Sequence, residues 1–383
     1  VTSALGAGRQ AHAAALHAGR TGLRRAAFES STLDTWTGIV HGLEDAPIQG
    51  WLADWDCRNN RLARLALEQD GFLQSAARLR EKYGARRVGV FVGTSTAGIQ
   101  QTELAYRARD RAGNRLPDWF HFRQTQNTFS CADYVRELLQ LEGVALAVST
   151  ACSSSAKVFA SACRAMRTGQ CDAAIVGGVD SLCLTTLYGF NALQLLSPDI
   201  CRPADAARNG ISIGEAAGFA ILEEGEAPAL ALLGYGESSD AHHMSAPHPQ
   251  GVGALACMRA ALERAQLQPR DIEYINLHGT GTPANDAAED QAVCGLFGQG
   301  TPCSSTKGWT GHTLGAAGVV EAAITLLAIE HGYLPQSLNT RVPDPLLHSR
   351  ILMQPLRAPL RRAMSNSFGF GGSNVSLVFG QCA

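Results

Sequence analysis

Short apolar runs, each closed by a glycine or a polar turn and followed by a helical stretch, recur along this 383-residue chain. They constrain its fold more than any other feature. Residues 87–92 end in the turn Gly93-Thr94-Ser95-Thr96. Residues 144–148 precede a small-residue helical stretch at 153–167, and residues 173–178 follow it. Unbroken apolar runs of this length suit strands buried on both faces, as in a sheet covered by helices. Residues 219–224 close the first half, and a polar, proline-containing link occupies 225–228. The second half repeats the pattern: a strand from 229, a helix at 252–266, a strand at 272–277 and a helix running to Phe297 that Asn285 or Asp286 would cap. A further helix is expected around 314–330 and a final strand at 374–379. Two halves of like logic predict a layered, duplicated α/β fold. The expected division is 1–228 and 229–383.

Composition narrows the class. Hydrophobic residues make up 45% and charged residues 17%, with 40 glycines, a profile for a heavily buried enzyme rather than a solvated or disordered chain. The net charge of −2 gives no global attraction to nucleic acid or an anionic membrane. The 11 cysteines contain no C-x-x-C pair and are scattered through predicted strands and helices, so reduced thiols are expected. No signal-like segment opens the chain, and no apolar run of membrane-spanning length is expected. Together these predict a soluble, cytoplasmic protein.

One cysteine stands apart. Cys152 lies between the 144–148 run and a helix, in the text Ser-Thr-Ala-Cys-Ser-Ser-Ser-Ala-Lys. Unpaired N–H groups and the positive end of the helix dipole favour thiolate there, which suits a nucleophile. The other ten cysteines are read as packed small hydrophobes. Three more segments carry chemistry. His278-Gly279-Thr280-Gly281-Thr282-Pro283 places an imidazole directly after a strand. Lys307 and His312 share a second histidine segment, Lys307 to Gly318, just before a small-residue helix, where a neutral ring is favoured. Asn366 to Asn374 is a glycine loop able to aim a backbone N–H at an oxyanion. His242, His243 and His248 are read as loop polarity, since no acidic or cysteine ligand recurs at zinc spacing.

In this order the four segments resemble the β-ketoacyl-acyl-carrier-protein synthases of the thiolase superfamily, in the Cys-His-His branch. Asp205 to Glu223 and Ser238 to Ala241 extend the resemblance over essentially the whole chain. It implies a five-layered α-β-α-β-α thiolase-like fold and a decarboxylative Claisen condensation. Cys152 would accept the acyl group as a thioester, and His278 and His312 would support malonyl decarboxylation. Lys307 and Glu321 would order the site, and Phe370 would gate the pocket and share the oxyanion hole with Cys152. Thr280, Thr282, Phe368, Gly369, Gly371 and Thr96 would contact substrate. No metal or organic cofactor is implied, because substrates ride on the phosphopantetheine of an acyl carrier protein. Arg58, Arg61, Arg64 and Arg123 are the candidates for docking that acidic partner. The resemblance also implies a dimer, with an identical copy or with a chain-length-factor-like subunit.

Three departures accompany it. The family's first strand is expected to be missing, because the sequence opens at Val1-Thr2-Ser3. Ala216 stands where glycine is usual, and Thr96 stands where a larger apolar gate is common, which bears on chain length. The stretches 152–157 and 184–190 are closer to synthases of aryl-polyene or type II polyketide clusters than to housekeeping fatty acid synthases. Three rivals predict different residues. A chain-length-factor-like subunit would lack the nucleophile. A thiolase would carry a cysteine in the loop Gly369-Phe370-Gly371-Gly372. A Cys-His hydrolase would pair one histidine with an Asn or Asp.

Overall fold

The computed structural model describes residues 1–25, 28–110, 112–113, 115–225 and 229–381. Residues 226–228 of the predicted link, and Cys382, lie outside them.

Two mixed sheets form the frame. The first contains β1 (Thr2–Ser3), β2 (Gly6–Ala7), β3 (Val88–Gly93), β4 (Ala145–Val148), β5 (Ala173–Asp180) and β6 (Ala216–Glu223) in the order β2-β1-β6-β5-β3-β4. The second contains β7 (Ala231–Ser239), β8 (Tyr274–Leu277), β9 (Pro302–Ser305), β10 (Arg350–Ile351), β11 (Arg362–Gly369) and β12 (Ser373–Gly380) in the order β10-β9-β8-β11-β12-β7. Strands β4, β3 and β5 run parallel and β6 returns antiparallel along β5. In the second sheet β9, β8 and β11 run parallel and β12 returns antiparallel along β11.

Helices fill three layers. On the outer face of the first sheet lie α1 (Arg58–Leu67) and α2 (Ser130–Leu138). Between the sheets lie α3 (Ser154–Arg167) and, later in the chain, α7 (Ala317–His331), each packed on strands of both sheets. A separate short helix, α4 (Leu184–Ala192), follows β5, and α5 (Val252–Ala265) and α6 (Pro283–Phe297) belong to the second half. Helix α5 packs on β7 and β12 from outside, with α6 against it. The result is the expected five-layered α/β architecture.

Each layer boundary holds its own apolar core. Val176, Phe159, Val319, Ile324 and Leu377 pack around the central helices. Leu62, Val90, Tyr134 and Ile175 pack beneath the first outer layer, and Met258, Ile275 and Val378 beneath the second. A helix sandwiched between two sheets must be apolar on every side. That explains why residues 314–331 reach the length and hydropathy of a membrane span, contrary to the expectation that no run would, while lying 78% buried in the protein core.

Two smaller expectations also change. The first strand is present in brief, since Thr2 and Ser3 pair with Ala217 and Ala216. Helix α6 is capped by Thr282, whose hydroxyl accepts the Asn285 N–H, with Pro283 at its first position. Asp286 instead turns back to accept N–H groups of Ala204 and Gly281.

Candidate active site

Cys152 is delivered by a tight turn after β4. Ala151 adopts φ +52°, a left-handed conformation that costs a non-glycine residue on the order of 1 kcal/mol or more. The Thr150 N–H is received by the Ser154 hydroxyl at 2.9 Å. The first turn of α3 is then wedged among three glycines. A Cβ on Gly93 would lie 2.3 Å from the Ser155 nitrogen, one on Gly178 2.3 Å from the Ser155 Cβ, and one on Gly318 2.6 Å from the Ala156 nitrogen. Only hydrogen at these positions lets the nucleophile's helix touch β3, β5 and α7 together.

His312 comes from the other half. Its backbone is clamped by the 212–214 segment: its N–H donates to Ser212 O at 2.7 Å and its carbonyl accepts from Gly214 N at 3.0 Å. The Leu314 N–H donates to Nδ1 at 3.3 Å, so a neutral ring carries its proton on Nε2. Nε2 lies 3.0 Å from Cys152 Sγ. His278, at the end of β8, meets the His312 ring edge to face, centroids 5.4 Å apart. Its N–H and that of Gly279 donate to the Glu289 carboxylate at 2.8 and 2.7 Å. Lys307 Nζ lies 3.2 Å from His278 Nδ1, and also bonds the His278 carbonyl and Glu321. Because an ammonium can only donate, His278 also carries its proton on Nε2. Both rings therefore present an N–H toward the cavity.

Burial governs the charges. It holds both imidazoles well below their usual range, helped by the Lys307 ammonium, so both are neutral. It pushes Glu321 and Glu289 up to about 7, against the pull of Lys307 on the first and of backbone N–H groups on the second. The Cys152 thiol is pushed up to about 11 by burial, against Lys307 and the backbone N–H of Phe370. Desolvation of the buried Cys152 thus acts against the thiolate preference expected from the helix terminus.

A cavity of about 230 Å³ opens onto Cys152, His278 and His312. One wall is apolar, built by Phe190, Leu195, Ile211 and Phe370, with the Phe190 and Phe370 rings 5.9 Å apart. The cavity's polar lining comes from Thr280, Thr282, Asn285 and Ser245. Phe368 and Gly369 line it as expected. Gly371 does not line it and instead donates its N–H to Met244 O at 2.9 Å. Thr96 does not line it either. It is 2% exposed, and its hydroxyl donates to Asp180 while accepting the Ser181 N–H.

The docking candidates separate. Arg58 is withdrawn: it is 4% exposed and lies in a buried ion pair with Glu215, with Phe28 beneath its guanidinium. Arg61, held by Asp56, and Arg64, paired with Glu68, are half-buried, whereas Arg123 is exposed. Sequence reasoning missed Glu289 and Asp180. The three-residue spacing of Asp286 and Glu289 on one helix was a usable signal, because it aims both carboxylates under the histidine turn. By geometry the Sγ and ring nitrogens of Cys152, His278 and His312, all within 4.8 Å of one another, also form a set that could ligate a metal ion.

Comparison with known proteins finds relatives of this chain. Family profiles described as beta-ketoacyl synthase, N-terminal domain and C-terminal domain match residues 11–227 and 230–341. The mitochondrial 3-oxoacyl-[acyl-carrier-protein] synthase of Arabidopsis thaliana is 37% identical, over 78% of this chain and 69% of its own. Nodulation protein E of Rhizobium meliloti is 37% identical, over 78% and 76%. Among solved structures, a chain from a ketosynthase in complex with its chain length factor from Xenorhabdus doucetiae superposes with TM-score 0.90 at 38% identity, covering 99% of this chain and 96% of that one.

Proposed function

This chain belongs to the beta-ketoacyl synthase family, and from that premise we propose how its own residues carry the condensation. Cys152 attacks a carrier-bound acyl thioester. The carbon–sulfur bond to the carrier breaks as that to Cys152 forms, and the thiol proton leaves with the released carrier thiol. Malonyl-carrier protein then enters and loses carbon dioxide. The enolate oxygen is held by the Nε2–H groups of His278 and His312, two neutral donors requiring no strong base. The enolate carbon attacks the Cys152 thioester as its carbon–sulfur bond breaks, giving β-ketoacyl-carrier protein and a Cys152 thiolate that takes up a proton from solvent to restore the thiol. The observation that carries this reading is the 3.0 Å contact of Cys152 with a donor ring whose neighbour is a second donor ring.

Lys307 and Glu321 order His278, while Phe370 closes the apolar wall and offers its N–H as the second oxyanion donor beside that of Cys152. Thr280 and Thr282 face the pantetheine arm. No metal or organic cofactor enters the scheme, and the Lys307 ammonium against His278 disfavours a divalent cation on the same ring. An acyl carrier protein is the proposed partner, with Arg64 and Arg123 as its docking residues. A homologous subunit would pair along β4, an edge strand of the first sheet, where Leu146 is 38% exposed. A polyketide-type chain is our reading of the pathway, supported by the superposition on a ketosynthase solved with a chain length factor. Free thiols at every cysteine among the described residues support a cytoplasmic location.

Incubation with cerulenin, an alkylating inhibitor of condensing enzymes, followed by intact mass tests the core of the reading. One adduct that disappears in Cys152→Ala is expected. An adduct that survives that change would move the nucleophile elsewhere.

A further inference from the structure

Asp180 ends β5, is 1% exposed, and is surrounded by neutral donors. Its Oδ1 accepts from Thr94 Oγ1 at 2.8 Å, Ser95 N at 2.7 Å, Thr96 N at 2.9 Å and Thr96 Oγ1 at 3.0 Å. Its Oδ2 accepts from the Ser95 hydroxyl and, at 2.5 Å, from Gly315 N. A buried carboxylate that collects six hydrogen bonds is a rigid node, because losing any one donor leaves a desolvated charge less satisfied.

Gly315 is three residues from His312, and the intervening backbone is unusual. Leu314 adopts φ +50°, and it is the Leu314 N–H that donates to His312 Nδ1. Gly315 has no room to drift: a Cβ there would lie 2.7 Å from Asp180 Oδ2 and 2.8 Å from Ser95 N. The carboxylate therefore fixes the peptide that follows Leu314, and with it the left-handed turn that aims the Leu314 N–H at the ring. We infer that Asp180 is the positioning residue that sets the tautomer of His312 and holds Nε2–H against Cys152, acting through Gly315 and Leu314. The same carboxylate binds the 94–96 turn through its other oxygen, so one group from the first sheet keeps that turn and the His312 loop in a single register.

The inference rests on the proposed function only for its kinetic consequence. The tautomer can be read directly from the ring nitrogens. The charges that face the sulfur are Lys307, Asp180 and Glu321, and the negative charge of Asp180 opposes thiolate formation. Removing it pulls two observables in opposite directions.

The test is Asp180→Asn in the full-length protein, with ¹⁵N-histidine NMR, the pH profile of Cys152 alkylation by iodoacetamide, and condensation kinetics. The expected results are loss of the single Nε2–H tautomer at His312 and an alkylation profile moved to lower pH. A fall in kcat of about 10²-fold, with KM for the acyl substrate nearly unchanged, should accompany them, since a misaligned ring removes stabilisation only in the transition state. An unchanged ring signal and an unchanged alkylation profile would overturn the inference, even if activity fell along with Tm, because that pattern describes a purely structural residue. If Asp180→Asn does not fold, Gly315→Ala breaks the same contact from the other side, and the ring signal decides in the same way. Wild-type protein without condensation activity would count against the functional reading alone, leaving the His312 measurement intact.

Discussion

Lys307 Nζ lies 3.2 Å from His278 Nδ1 while bonding the Glu321 carboxylate and the His278 carbonyl, so a buried cation is held where it can only donate to the imidazole. This dictates the ring's proton position and keeps it neutral. Lys307→Ala should release the ring, leave Glu321 without its cation and lower stability by roughly 3 kcal/mol, as broken buried pairs do. Urea denaturation and condensation assays should register both losses. Lys307→Arg should not restore activity, because a planar fork does not replace a point donor in a fully packed space.

His312→Ala removes the donor 3.0 Å from the sulfur but not the sulfur itself. Acylation of Cys152 should persist, slowed because the thiol loses an N–H donor, while condensation should fall by about 10²–10³, the usual loss for one oxyanion donor. Acyl transfer followed by intact mass, run beside a condensation assay, separates the two steps. If acylation were abolished together with condensation, the proposed division of labour would be wrong.

The Glu289 carboxyl is pushed from 4.5 to about 7 by burial. It binds a proton more readily in the folded chain than in the unfolded one. Its contribution to stability is therefore complete below about 4.5 and is lost as pH climbs through about 7. The urea midpoint should decline across that window, and Glu289→Gln should flatten the decline. An equally steep decline in the variant would assign the effect to other groups, Glu321 first among them.

Gly178→Ala should be costly although glycine is replaced by the smallest side chain. The new Cβ would lie 2.3 Å from the Ser155 Cβ, so α3 must move. Overpacking of this kind costs about 1–3 kcal/mol, and the displaced helix carries Cys152. Thermal unfolding and the cerulenin adduct should both report it.

Charge reversal at Arg123 should raise KM for carrier protein and weaken its salt dependence while leaving kcat close to wild type. Arg58→Ala should instead destabilise the fold by unpairing Glu215. An unchanged carrier KM in Arg123→Glu would remove that residue from the docking surface.

Much of this was legible in the linear text because strands buried on both faces must be unbroken apolar runs, as residues 88–92 and 173–176 are. The cysteine was legible because it separates an apolar run from a helix, and both histidines because each adjoins a glycine at an element end. What escaped depends on partners far along the chain. Arg58 reads as a surface cation until Glu215, 157 positions later, is placed against it. Thr96 reads as a pocket residue until Asp180 turns its hydroxyl away. Asp180 escaped because a carboxylate that collects backbone N–H groups leaves no period or spacing of its own, whereas Glu289 was marked only by its spacing from Asp286.

The sulfur follows a strand of the first sheet while His312 comes from the second half of the chain, so the 3.0 Å contact between Cys152 and His312 works as a gauge of how the two halves are seated. Hydrogen bonds weaken over tenths of an ångström, whereas apolar packing tolerates such creep. Warming or mild denaturant should therefore silence the chemistry while helices and sheets still read as native, and the working life of this protein would be set by registry rather than by melting.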